Sequence, residues 1–273
     1  MLKTRVIQKQ DVGKEQWDKF VIESPYGWAF HLYDVISVDR YKEDKDISFA
    51  IYDEDKGQIA LIAMLHIEYK ESGNLLHSRY GIVPRSGLAH KEQKKLCNAY
   101  KEYIDSLCVK YNIKRLLAGT VPIAEALQPQ KKELVNPLME YGYCPAAITP
   151  TYTWVCDING DEEELIKKCE QTTRQALRKL EQSNKYEIIE ADNNPEDYDD
   201  YVRLHIETYT RTGLADEILS DEYQRNIFNN MIPQGICRVF FLKEKEINEN
   251  IASVAILVYK NTAYYWWGSS VGE

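Results

Sequence analysis

The chain has 273 residues, 44% hydrophobic and 28% charged, which suits one large soluble domain or two of ordinary size. Its net charge of −9 weighs against a nucleic-acid binder, whose footprint is basic, so any contact with tRNA has to come from a local patch. The six cysteines are scattered without a CxxC pair, which argues against a zinc site of usual spacing and a disulfide framework; no apolar run approaches the ~20 residues that span a bilayer, and the N-terminus turns polar by Gln8, so a cytoplasmic protein is the default.

In chain order, residues 15–24 read as a helix with Trp17, Phe20 and Val21 on one face, broken by Ser24-Pro25-Tyr26-Gly27. A short amphipathic segment follows over 30–38. Residues 47–52 and 58–69 read as a hairpin around Asp53-Glu54-Asp55-Lys56-Gly57. A strand over 77–83, a strong helix over 91–111, a strand over 114–119 and a short helix over 137–141 complete the first half. A boundary is expected near 145–150.

Beyond it come a strand over 151–157 and one long helix over 161–183, acidic in its first turn as the helix dipole prefers. A strand over 186–190 leads to a helix that Pro195 opens and Gly213 follows. Ser220 caps a further helix reaching Met231, and a meander runs over 237–243, 251–259 and 262–269. Both halves place helices before a three-stranded meander. The expected class is therefore α/β (α+β), with two similar lobes of mixed, mostly antiparallel sheet flanked by helices, divided as 1–148 and 149–273.

Three groups of residues could carry chemistry. Lys167, Arg174 and Arg178 fall on one face of the long helix, as a phosphate chain would want; the alternative is a solvated face paired with Glu170 and Glu181. Arg211 stands where a helix opens into a loop, flanked by Tyr209 and later Tyr223. That position suits a diphosphate or carboxylate, or else a cation closing the last helical carbonyls. Tyr264, Tyr265, Trp266 and Trp267 form the densest aromatic run. On a strand two face each side, so one pair fits a core and the other a substrate cleft. His31 and His205 are the histidines to consider as bases, but neither has a nucleophile motif beside it. There is no P-loop, GxGxxG, HExxH or Arg/Gln-x-x-Gly-x-Gly/Ala pyrophosphate loop, and no metal site is expected.

The order and spacing of Tyr152 to Asp157, Thr173-Arg174-Gln175-Ala176-Leu177-Arg178-Lys179, the strand 186–190, Arg211-Thr212-Gly213, Tyr223 and Trp267-Gly268-Ser269 resemble the FemAB-like peptidyltransferases of the GNAT superfamily. Phe20 with Ser24-Pro25-Tyr26-Gly27 resembles the start of their first lobe. The resemblance implies two tandem GNAT-like lobes and transfer of an aminoacyl group from aminoacyl-tRNA to an amine of a cell-wall peptide. Wider relatives use acyl-CoA on sugars or amines. It also implies Arg211, Tyr223, Tyr264 and Trp266 as residues contacting the acceptor or its diphosphate, with no cofactor beyond the donor. Such an acceptor would bring a cytoplasmic enzyme near the inner face of the membrane. The family's first-lobe lysine falls near Ser37 here. Since the sequence stops at Glu273, the second lobe is expected to lack its C-terminal end, which keeps a non-catalytic GNAT-like binding module as an alternative. The unpaired edge near 262–269 would then favour self-association.

Overall fold

The computed structural model describes residues 3–36, 44–78, 80–119, 141–144 and 155–272. The expected boundary at 145–150, most of the helix over 137–141, the strand residues 151–154 and Ser37 lie outside them. The chain divides into two compact units, Met1–Thr149 with Leu219–Met231, and Pro150–Ile218 with Ile232–Glu273.

The first unit opens with β1 (Thr4–Gln8), α1 (Lys9–Val12) and α2 (Lys14–Glu23). Trp17 and Val21, four apart in α2, are fully buried. Then come β2 (Asp44–Asp46), β3 (Phe49–Asp53), β4 (Gln58–Ala63), β5 (His66–Glu68), β6 (Asn74–Ser78), β7 (Ile82–Pro84), α3 (His90–Lys110) and β8 (Ile113–Ala118). They build two four-stranded sheets. The sheet β1-β3-β4-β7 is antiparallel; in β2-β5-β6-β8 the β6–β8 pair is parallel because α3 carries the chain across. Phe49, Ile51, Leu61, Ile67, Leu76, Leu96 and Tyr100 fill the core that the sheets share with α3.

Two expected strands are each divided. The run over 58–69 leaves one sheet at Ala63 and enters the other at His66. A backbone that changes sheets needs replacement hydrogen bonds. Buried Ser48 supplies them: its Oγ accepts from Leu65 N at 3.0 Å and donates to Leu65 O at 3.4 Å. The run over 77–83 splits at Gly81, whose φ of 77° turns the chain and sets its N–H on Ser78 O at 3.1 Å.

The second unit holds α4 (Glu162–Lys168), α5 (Gln171–Ser183), β9 (Tyr186–Glu190) and α6 (Pro195–Arg211). After α7 (Asp221–Asn226) and a π-helical turn (Ile227–Met231), both in the first unit, come β10 (Cys237–Glu244), β11 (Glu249–Tyr259) and β12 (Thr262–Ser270). The sheet β12-β11-β10-β9 is antiparallel throughout. Its alternation is clean. Cys237, Val239 and Phe241 on β10, and Ser253, Ala255, Leu257 and Tyr259 on β11, are buried. Against β11 and β12 lies α6, with Tyr201, Leu204 and His205 buried.

The single helix expected over 161–183 is corrected to two. Cys169 and Glu170 are extended, at ψ 156° and 155°. Arg174 Nη1 donates to the carbonyls of Lys167 and Cys169, closing the end of α4 where its last oxygens have no intrahelical donor. Residues 155–157 are not strand.

Asp53 is 1% exposed and receives Arg85 Nη2 at 2.7 Å. Burial opposes its charge, but the hydrogen bonds from Arg85 and the Lys56 amide prevail and hold its carboxyl below the usual range. A depressed folded pKa contributes stability above the unfolded value of about 3.9 that is lost as pH falls through the folded one. Urea midpoints of wild type and Asp53→Asn should therefore converge as pH drops below about 4, and a constant gap would refute this.

Candidate functional site

The C-terminal ends of α6 and β12 are bonded together. Thr208 Oγ1 donates to Ser270 O at 2.9 Å and accepts from Ser270 N at 2.8 Å. Arg211, the last residue of α6, is exposed, and its Nη2 donates to the same carbonyl at 3.1 Å. Arg211 thus closes a strand end and not the helix's own carbonyls. One nitrogen of the fork is engaged, and the guanidinium keeps donors for a ligand oxygen.

The aromatic run departs from simple alternation. Ala255 pairs with Trp267 and Ile256 with Tyr265, so Trp266 is the extra residue of a β-bulge. Beyond the bulge the faces exchange. Tyr264 stands opposite Leu257 and Trp267 opposite Ala255, on the side of the sheet that α6 covers. Trp266 stacks on Trp267 with ring centroids 3.7 Å apart and planes 25° apart. Trp267 in turn meets His205 edge-on at 6.4 Å. Tyr201, His205 and Tyr209, at four-residue steps along α6, continue this aromatic row at 6.0 and 4.5 Å. Tyr265 projects to the other face, 75% exposed, and its hydroxyl fills the space that a Cβ on Gly268 would take.

Of the residues singled out, Arg211, Tyr264 and Trp266 belong to the second unit and Tyr223 to the first. Tyr223 is 2% exposed, and its hydroxyl donates to Val35 O at 2.7 Å. The basic residues do not form one stripe. Lys167, on α4, stands 3.7 Å from Glu163, Arg174 is spent on carbonyls, and Arg178, on α5, is exposed. Among the described residues, neither expected partner, Glu170 or Glu181, forms an ion pair with these arginines. His31 is fully buried, with Nδ1 accepting from Trp28 N at 3.1 Å and Nε2 on Tyr80 O at 3.0 Å. Burial brings it down to about 4 against the pull of the Tyr80 carbonyl, so it is neutral at pH 7. His205 is 1% exposed within the aromatic row.

Sequence reasoning missed the bulge, Thr208 and Ser270. A glycine inside a strand, Gly268, was the available signal, since it marks a bulge or a close approach. Among the described residues no group of three or more His, Cys, Asp or Glu could hold a metal ion. No described helix is long and apolar enough to cross a membrane.

Residues 167–272 match the family model of the acetyltransferase (GNAT) domain. Among solved structures, the crystal structure of FemX is similar over 100% of this chain and 81% of its own, at 15% identity and a TM-score of 0.61. A tandem GNAT protein from the clavulanic acid biosynthesis pathway matches over 98% of this chain and 79% of its own, at 8% identity and a TM-score of 0.45. The glucosamine N-acetyltransferase region of a fungal multi-domain β-N-acetylglucosaminidase matches 94% of this chain and 28% of its own, at 12% identity and a TM-score of 0.35. No curated protein matches the sequence. The likeness to FemX is one of fold; the two weaker ones carry no argument.

The position of Tyr223 gives a direct test. Removing its hydroxyl leaves the Val35 carbonyl without its donor, so Tyr223→Phe should lower the unfolding free energy by about 1 kcal/mol in urea denaturation. Unchanged stability would mean that the hydroxyl is not held there.

Proposed function

We propose that this chain is an acyltransferase of the FemAB type, moving an aminoacyl or acyl group onto an amine of a cell-wall peptide or a related precursor. The match of residues 167–272 to the acetyltransferase (GNAT) domain carries this reading, because that stretch includes Arg211, the aromatic row and the bulge. The FemX-like fold over the whole chain supports it.

In this reading the neutral amine attacks the carbonyl carbon of an ester on aminoacyl-tRNA or of a thioester on acyl-CoA. A C–N bond forms and a C–O or C–S bond breaks. The amine gives up a proton, and the departing oxygen or sulfur ends protonated. His31 has both ring nitrogens engaged, and His205 is enclosed by Tyr201, Tyr209 and Trp267, so neither is assigned as the base. Catalysis then rests on positioning and on stabilising the oxyanion. Trp266 is assigned to contact the acceptor, and the free side of the Arg211 fork takes a diphosphate or carboxylate of it.

An acyl-CoA donor is the second reading. The family description names acetyl transfer, and the net charge of −9 disfavours a polyanionic tRNA. Mass spectrometry of an amine-bearing peptide incubated with the chain and each donor separates the two by the mass added. No product from either donor would leave the non-catalytic binding module. The bulge supplies a sharper test. Deleting Trp266 restores a regular register and should cost about 10²-fold or more in transfer rate. Trp266→Ala, which keeps the bulge backbone, should cost far less. Equal losses would mean that the indole, and not the register of β12, carries the effect.

A further inference from the structure

Helix α3 carries a charge pattern that its packing does not require. Between His90 and Arg115 seven lysines and arginines stand against three acids, in a chain whose net charge is −9. Lys91, Lys94, Lys95 and Lys101 lie along α3 away from the side that buries Leu96, Tyr100, Ile104 and Leu107. Lys91, Lys94 and Lys101 are exposed and Lys95 is half-buried. Among the described residues none of the four ammonium groups has an ion-pair or hydrogen-bond partner.

This arrangement works against the helix. Three of the lysines fall in its first two turns, where the helix dipole disfavours cations, and Lys91 meets Lys94 and Lys95 at the like-charge spacings of three and four. Elsewhere the chain follows the dipole. Helix α4 opens on Glu162, Glu163 and Glu164 and ends on Lys167 and Lys168, and α6 opens on Glu196 and Asp197 and ends on Arg211. The first-turn acid of α3, Glu92, is committed to the Ala89 amide at 3.2 Å and to Lys56 at 3.3 Å, so it does not neutralise the stripe. A local charge pattern that costs helix stability and gains no partner within the fold is the mark of a functional surface.

The stripe runs for about 15 Å at the helical rise per residue. Its ammonium groups are spread along the axis on separate flexible stems, which suits an extended polyanion better than a small anion. Exposed Asn98 stands among them, and the exposed large apolar residue of α3, Val109, lies about two turns beyond Lys101. The stripe therefore has no apolar flank to enter a bilayer. We propose that it docks the phosphate backbone of an RNA duplex, namely the tRNA that carries the donor aminoacyl group. Lysines neutralise successive phosphates without reading sequence, and a chain of net charge −9 can hold a polyanion through such a local patch. The identity of the RNA rests on the aminoacyl transfer proposed above; the stripe itself belongs to the first unit.

The test is binding of uncharged bulk tRNA to the full chain, followed by fluorescence anisotropy across a salt series. Binding at low salt, with log K falling steeply against log salt, is expected. Lys91→Gln, Lys94→Gln, Lys95→Gln and Lys101→Gln combined should weaken it at least tenfold and flatten the slope by about 3, while the thermal midpoint stays or rises. Arginine at all four positions should preserve both affinity and slope. A wild-type chain that does not bind tRNA, a glutamine variant that binds it as tightly as wild type, or stripe-dependent binding to phosphatidylglycerol vesicles that exceeds binding to tRNA would each overturn the assignment. Product analysis separates this from the transfer reading. Stripe-dependent tRNA binding with no product from either donor overturns the transfer alone, whereas transfer by the glutamine variant at the wild-type KM for aminoacyl-tRNA overturns the docking alone.

Discussion

Two neighbouring carbonyl groups, those of Asp34 and Val35, determine how this chain is partitioned. Asn226 Nδ2 donates to the first and Tyr223 Oη to the second, across sequence separations of 192 and 188 residues. These bonds, with buried Ile227, Phe228 and Met231, draw residues 219–231 out of the second unit and into the first. The chain therefore passes between the units three times. The first unit's core is complete only when residues from far along the sequence arrive, a non-local closure that slows folding. The π-helical turn after α7 belongs to the same arrangement. It buries three of its five residues, and Asn230 Nδ2 donates to Asn226 Oδ1 at 2.8 Å beside it.

Charge is concentrated near the same anchor. Lys9 is 4% exposed and its ammonium stands 3.2 Å from Asp46; burial pushes its pKa down while Asp46 pulls it up. Lys14 pairs with Asp34, whose backbone holds Asn226. Buried ions in this setting are poor sources of net stability, but losing one partner is strongly destabilising. They specify how α1, α2 and the Asp34 segment meet. The carbonyls that receive the distant helix are thereby presented in fixed positions.

In the second unit the comparable constraint is the bulge at Trp266. One extra residue moves Trp267 to the face that α6 covers, against His205, and turns Tyr265 outward. It also leaves Ser269 and Ser270 in register with Ser253 and Ala252. There Ser253 and Ser269 hydroxyls lie 2.6 Å apart and Ser270 meets Thr208 and Arg211. The aromatic row and the Arg211 contact thus follow from one irregularity in one strand.

Much of the secondary structure was legible in the sequence because it rests on local signals. The strand Tyr186–Glu190, the Asn194-Pro195 start of α6, the Ser220 cap and the meander depend on neighbours within a few residues. Arg211 and the aromatic run stood out by residue type alone. Tertiary structure decided the rest. The break at Cys169 depends on Arg174 closing α4, and the division of residues 58–69 between two sheets depends on Ser48. Hydrophobic period cannot report where a backbone changes partners. Nor can it report that Tyr223 spends its hydroxyl on Val35, or that Tyr264 and Trp267 share a face. Those outcomes depend on which carbonyls and side chains the folded chain brings within hydrogen-bonding reach, across separations that no local pattern encodes.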